Sequence, residues 1–287
     1  MVYNENIVED HKGHAIFKIF HSSVNAGKRV YRQHHHTAFE ISVIASGEGT
    51  YSVNSRTYDF KKGDVFVFSS DEVHCITDIY DCEKLDLINI HFEPMYIWSD
   101  ETGLNDTNLL KIFLDRNDNF QNRIDRENPA SEIIKNLIFE MDKEFAVKQE
   151  EYLLAVKVKL ITILISLIRD FDYINNDNTY VLKSDNLVCL KKSIDYINDN
   201  LSSDITLDDL AEAASMSRSR FCTVFKKYNG ISPWDYITIK RIEMSVALLA
   251  EKNMTKLEIA CKCGFNNTSN FYRAFKKVTG KIPSDYC

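Results

Sequence analysis

The chain reads as a multidomain α+β protein: a β-barrel or sandwich first, a helical segment next, and an all-α domain with two helix-turn-helix motifs last. Three observations predict this. Short apolar runs punctuated by Gly and Asn turns fill residues 15–92. Apolar stripes at helical spacing follow between residues 131 and 171. From Ser203 to Tyr286 one pattern is written twice, and an internal repeat of this kind outranks any local signal.

In the first part, Ala15-Ile-Phe-Lys-Ile-Phe20 and Phe39-Glu-Ile-Ser-Val-Ile44 alternate or run apolar and predict strands. Gly47-Glu-Gly49 turns into a strand over Thr50–Val53, and Asn54-Ser55 turns into Thr57-Tyr-Asp-Phe60. Lys61-Lys-Gly-Asp64 leads to Val65-Phe-Val-Phe68, and Leu87–Phe92 adds a late strand. Many short strands separated by such turns specify a barrel or sandwich.

The histidines are patterned. His34-His-His-Thr-Ala-Phe-Glu40, followed after six residues by Gly47, resembles the first cupin motif. Gly63-Asp64 and His74 resemble the second, although Ser69, Asp71 and Asp78 stand where it usually has proline, glycine and asparagine. The resemblance implies a cupin, or jelly-roll, β-barrel. It also puts His34, His36, Glu40 and His74 at the positions that ligate metal in cupin enzymes. Imidazole nitrogens and a carboxylate suit a divalent Zn, Ni, Mn or Fe ion. The same side chains serve as readily to line a pocket and hydrogen-bond a small ligand. Tyr31, Phe39, Tyr51 and Phe66 suit stacking on a sugar ring, and equally suit a core.

Further on, a short helix is predicted within Leu109–Ile124, then a polar stretch over Asn117–Asn128. Ser131, after Pro129, opens a helix through Met141. Tyr152, Ala155, Val156, Leu160, Ile163, Leu164, Leu167 and Ile168 mark a longer one at spacings of three and four. Its second stripe (Leu153, Leu154, Ile161, Ile165) exceeds what packing on a barrel needs, and surplus apolar surface predicts a partner. Asp172–Asp185, rich in Asn and Asp, is the linker. The expected divisions are 1–100 for the barrel, 101–172 for the helical packing and dimerisation segment, 173–184 for the linker, and 185–287 for the repeat domain.

Within the repeat, Thr206-Leu-Asp-Asp-Leu-Ala211 aligns with Thr255-Lys-Leu-Glu-Ile-Ala260 at an offset of 49 residues. Phe221, Phe225, Lys226, Lys227, Gly230, Pro233 and Tyr236 recur as Phe271, Phe275, Lys276, Lys277, Gly280, Pro283 and Tyr286 at an offset of 50. Ala211 and Ala260 are small where helices cross. Ser217 is the expected N-cap of the second helix in one copy and Asn266 in the other. Phe221, Val224 and Phe225, then Phe271 and Phe275, point inward. Ser217, Arg218, Ser219, Arg220, Cys222 and Thr223 head the first outward face. Asn267, Thr268, Ser269, Asn270, Tyr272 and Arg273 head the second. Short polar and Arg side chains suit base edges in a major groove, and the lysine pairs Lys226-Lys227 and Lys276-Lys277 suit phosphates. Any small helical bundle has apolar stripes and charged faces, but two copies joined by a long helix over Pro233–Ala250 point to DNA.

These residues resemble the DNA-binding domain of the AraC/XylS family of transcriptional regulators. Ile205–Ala211, Ser217–Phe221, Phe225-Lys-Lys227, Gly230–Pro233, Cys263-Gly-Phe265, Asn270-Phe271, Phe275-Lys-Lys277 and Gly280–Pro283 carry the resemblance, which covers about the last hundred residues. Ser215 replaces the usual turn glycine of the first motif, whereas Gly264 keeps it in the second. Cys287 stands where the family often has arginine. The resemblance implies an effector-sensing barrel, with a sugar or related metabolite as effector, and a helical dimer interface. It further implies an operator in double-stranded DNA, and RNA polymerase as a partner. Ser219, Cys222, Thr223, Ser269, Asn270 and Arg273 would face bases.

The net charge of −7 is unevenly spread. Residues 181–287 carry 16 Lys and Arg against 12 Asp and Glu, a balance of +4, and residues 1–180 carry 19 against 30, a balance of −11. A basic rear and an acidic front fit one half facing nucleic acid. The seven cysteines (75, 82, 189, 222, 261, 263, 287) form no CxxC pair and no zinc-finger spacing. Free thiols in a cytoplasmic protein are the expectation. The N-terminus lacks an apolar signal core, and Lys157 and Lys159 interrupt the apolar run Leu153–Ile168, which is too short to span a bilayer. No catalytic residues and no cofactor are expected, beyond a divalent ion at the histidines. The rival readings are a family member without an effector, controlled by its abundance, and a metal-dependent cupin enzyme.

Overall fold

In the computed structural model of the chain, residues 2–10, 13–26, 34–70, 72–80, 83–98, 107–175, 184–251 and 253–286 are described. The chain forms two compact units. One comprises residues 1–31, 38–69 and 76–182; the other comprises 32–37, 70–75 and 183–287.

The first unit holds the strands β1 (Val2–Glu9), β2 (Ala15–Asn25), β3 (Phe39–Ser46), β4 (Glu48–Val53), β5 (Arg56–Phe60), β6 (Val65–Phe68), β7 (His74–Tyr80, of which 74–75 belong to the other unit) and β8 (Lys84–Phe92). A five-stranded sheet runs β1-β2-β8-β3-β6, and a three-stranded sheet runs β5-β4-β7. Alternation along each strand splits the side chains between two faces. Between the sheets lie Ile44, Tyr51, Val53, Tyr58, Phe60, Phe66, Phe68, Ile76, Leu85 and Leu87. On the other face Phe17 packs 4.9 Å from Tyr96, in α1 (Pro94–Trp98). Phe39 stacks 4.3 Å from Phe113, in α2 (Lys111–Leu114). Phe17 also stacks on Phe145 of α3 (Pro129–Val147), which packs against α4 (Tyr152–Arg169). Each aromatic so enclosed contributes about 1.5–3 kcal/mol through removal from water.

Several expectations are corrected here. β1 was not expected, because Val2–Glu9 is polar and without alternation; it survives as an edge strand paired with β2. β7 was not expected either, since His74–Tyr80 carries polar residues within its span. The helix expected in Leu109–Ile124 is reduced to a 3-10 turn over Thr107–Leu110 followed by α2. Beyond it the chain serves the edge of β6: Val67 N donates to Asn122 O and Ile124 N to Val65 O, burying Phe120 and Ile124. Ser131 does not open α3. Asn128 caps it, accepting from Ala130 N, with Pro129 at the first helical position. The linker's first residues are built into this unit: Tyr173 is buried, and Ile174 bridges to Arg116. Residues 176–183 lie outside the described ones.

The second unit is helical: α5 (Ser184–Asp199), α6 (Leu207–Ala213), α7 (Arg218–Asn229), α8 (Pro233–Glu251), α9 (Lys256–Lys262) and α10 (Thr268–Thr279). The repeat is visible at atomic detail. Thr206 and Asp209 form a reciprocal capping box at α6, and Thr255 and Glu258 form one at α9. Phe221 and Phe225 are fully buried, with rings 5.5 Å apart, as are Phe271 and Phe275 at 5.6 Å. Ala211 and Ala260 are buried at the crossings. Ser217 caps α7 by accepting from Arg220 N. Asn266 does not cap α10; Asn267 does, accepting from Asn270 N at 2.8 Å. An Asn-Asn pair leaves the choice between neighbours open in sequence, and the extended backbone of Asn267 decides it.

Candidate nucleic-acid interface and effector pocket

Burial of the Phe stripes turns the opposite faces of α7 and α10 to solvent. Ser217, Arg218, Ser219, Arg220, Thr223 and Lys226 are exposed on the first; Cys222 and Lys227 are half-buried. On the second, Asn267, Ser269, Asn270, Arg273, Lys276 and Lys277 are exposed, and Thr268 is half-buried. Both lysine pairs sit in the last turns of their helices, where cations complement the helix dipole. Two of the expected contacts have local duties as well: Ser217 and Asn267 are the caps. The Thr223 hydroxyl donates to Ser219 O at 3.1 Å.

The cationic side chains are held in place. Arg218 lies 3.7 Å from Asp208, both exposed, a weak pair that DNA can displace. Arg220 donates to Asn186 Oδ1 at 3.2 Å, and Arg273 to Asn270 Oδ1 at 3.4 Å. Lys277 Nζ lies 3.1 Å from Asp235 Oδ1. Burial alone would raise the Asp235 carboxyl, but hydrogen bonds from Ser232 and Lys277 outweigh it and hold the group below its ordinary value. Cys287 lies outside the described residues.

On the inner face of the larger sheet, register brings polar residues into line. Glu40 sits opposite His91, and Ser42 opposite Asn89. Glu40 Oε2 is 3.0 Å from His91 Nε2. Ser42 donates to Glu40 Oε1 and lies 2.9 Å from Asn89 Oδ1; Asn89 Nδ2 donates to Ser22 Oγ at 2.9 Å. Phe20 meets the edge of His91 with ring centroids 4.8 Å apart. Sequence reasoning found Glu40 and missed Ser22, Ser42, Asn89 and His91. The available signal was the alternation Glu40-Ile-Ser42 against Asn89-Ile-His91.

The histidine loop and the start of β7 meet through a backbone bridge between His34 and His74. Their rings are 4.3 Å apart, and those of His36 and His74 5.5 Å. His74 Nδ1 is 2.7 Å from Glu72 O. A carbonyl only accepts, so Nδ1 is the donor in this contact, and a neutral ring would turn its lone pair out at Nε2. One ring nitrogen from each of His34, His36 and His74, all in the second unit, lies within 4.8 Å of the others. Three imidazole nitrogens suit a divalent first-row ion, and they suit a hydroxyl-bearing ligand as well.

Of the aromatics that suit either a ligand or a core, Phe39, Tyr51 and Phe66 are core. Phe39 is fully buried on the opposite face of β3 from Glu40, against Phe92 and Phe113. It is core, because residues one apart on a strand cannot share a face. Tyr51 is buried among Phe60, Phe66 and Phe68, and Phe66 is fully buried in the same cluster. Tyr31 lies outside the described residues.

Among the described residues, Cys75, Cys189, Cys222, Cys261 and Cys263 are free thiols, and burial pushes that of Cys263 up to about 11. Among them too, no helix is long and apolar enough to cross a membrane.

An AraC-like ligand binding domain model matches residues 17–137, and a helix-turn-helix domain model matches residues 210–287. The Melibiose operon regulatory protein of Escherichia coli is 24% identical over 264 residues, covering 88% of this chain and 82% of that protein. The Msm operon regulatory protein of Streptococcus mutans is 25% identical over 252 residues, covering 86% and 83%. The crystal structure of ToxT from Vibrio cholerae shares the fold with a TM-score of 0.58 at 15% identity, covering 94% of this chain and 97% of that one. With an AraC-like ligand-binding domain ahead of a tandem helix-turn-helix domain, the chain belongs to the AraC family of transcriptional regulators.

Proposed function

We propose that this regulator works as a homodimer whose barrel (1–100) takes up a sugar or related metabolite. In this reading the segment 101–172 carries the dimer contact, 173–184 links, and 185–287 holds an operator and meets RNA polymerase in the cytoplasm. It acts by binding and not by catalysis. The carrying observation is the line of polar side chains on the inner sheet face, Ser22, Asn89, Ser42, Glu40 and His91, whose alternating donors and acceptors match a polyhydroxylated ligand. The relative named for a melibiose operon supports a sugar. Effector binding would shift the populations of two arrangements with different operator affinity. A thermal-shift screen of the full chain against sugars and metabolites tests this. A hit whose shift vanishes in His74→Ala or Asn89→Ala, with DNA affinity retained, is expected; a library without hits contradicts it.

A second reading rests on the close approach of His34, His36 and His74. A divalent ion held there would orient the effector or brace the loop. Metal analysis of the purified protein, with a chelator lowering its melting temperature, would favour it.

A further inference from the structure

Within the helical unit the two turns that correspond in the repeat are built differently. Ser215, in the first motif, has φ 52° and is exposed. Gly264, in the second, has φ 77°, and a Cβ there would lie 2.4 Å from Leu201 O and 2.9 Å from the Arg241 guanidinium. The second turn is thus sealed by the loop that leads from α5 into the first motif. Arg241, midway along α8, makes the seal. Its Nε donates to Leu201 O at 2.9 Å and its Nη2 to Ser203 O at 2.7 Å. Its guanidinium also lies 5.9 Å from the Phe265 ring centroid, within cation–π range. Ser202 Oγ donates to Lys262 O at 2.7 Å, and Asn266 Nδ2 reaches Asp204 Oδ1 at 3.4 Å. The stretch Leu201–Asp204 therefore runs straight into the Thr206 cap of α6 while bound to the turn between α9 and α10.

We propose that Arg241 is a positioning residue that locks the two helix-turn-helix motifs together, so that the protein selects the spacing between the two DNA segments it reads as well as their sequences. A planar fork with two carbonyls in its grip fixes direction as well as distance, which a lysine cannot do. Two tethered readers held rigidly favour the one spacing that fits both and reject its neighbours; loosened, they lose affinity at the fitting spacing and gain tolerance elsewhere. The inference rests on the reading that both α7 and α10 engage DNA.

The test starts from duplexes selected by the full chain out of a random-sequence pool, with one base pair then inserted or deleted between the two protected segments. Wild-type protein is expected to bind the altered duplexes about tenfold or more weakly than the parent, and Arg241→Ala no more than about threefold more weakly than it binds the parent. Arg241→Lys should fall between. A merely structural role would lower the active fraction and shift every duplex by the same factor, so a folded Arg241→Ala with the wild-type ratio overturns the proposal. If Arg241→Ala does not fold, Ser202→Ala combined with Asn266→Ala takes its place: a flattened ratio supports the lock, and the wild-type ratio overturns it. Alanine variants of Ser219 and Arg273 serve as controls. If either leaves its own segment's sequence preference untouched, the two-helix reading fails, whatever the spacing ratios show.

Discussion

Glu40 and His91 face one another across β3 and β8, with Oε2 of the buried Glu40 3.0 Å from Nε2 of the half-buried His91. The carboxylate also accepts from Ser42, whose hydroxyl is within reach of Asn89. Glu40→Ala leaves His91 and Ser42 with polar groups that lack this partner, a cost of about 1–3 kcal/mol. A lowered denaturation midpoint, with the effector-induced thermal shift lost, is the expected result. An unchanged shift would remove Glu40 from the pocket.

The exposed fork of Arg273 is set by Asn270 beside it on α10. Arg273→Ala should weaken binding to the selected duplex by about 1–3 kcal/mol and relax base preference at one position. Uniform weakening on all duplexes would make Arg273 a phosphate contact.

The two capping boxes respond to acid. Hydrogen bonds from Thr206 hold the Asp209 carboxyl below its ordinary value, and those from Thr255 do so for Glu258. A lowered folded-state value contributes stability that is present above the unfolded value, about 4, and is lost as pH falls through the folded one. Thr206→Ala and Thr255→Ala should each lower the melting temperature by a few degrees at neutral pH and by less near pH 3. A gap that widens in acid would contradict this account.

On α4, Leu153, Leu154 and Val158 are exposed, and Ile161 and Ile165 are half-buried. In the proposed homodimer that apolar stripe would meet a second copy of the chain. Val158→Glu in the full-length protein should raise its dimer dissociation constant at least about tenfold in sedimentation, since a buried charge opposes association. Equal sedimentation of variant and wild type would count against the proposed dimer contact on α4.

Legibility in the sequence followed how local each signal was. The helical repeat could be read because each copy restates its own cap, apolar stripe and turn within a few dozen residues. The cap of α10 was misplaced by one residue because Asn266 and Asn267 are chemically alike. The pocket was half legible. His34, His36, Glu40 and His74 stand in motifs, whereas Ser22, Ser42 and Asn89 acquire meaning only from strand register, which no local pattern states. The choice between pocket and core for Phe39 stays open in the sequence for the same reason: the parity that turns Glu40 inward turns Phe39 into the core. Edge strand β1 was hidden because a strand paired on one side needs few apolar residues.

A footprint of the full chain on its selected duplex tests the central claim most directly. The account predicts two protected major-groove segments on one face of the DNA, their centres about one helical turn apart, with alanine variants of α7 and α10 each erasing one of them. A single protected segment, or protection indifferent to sequence, would contradict it.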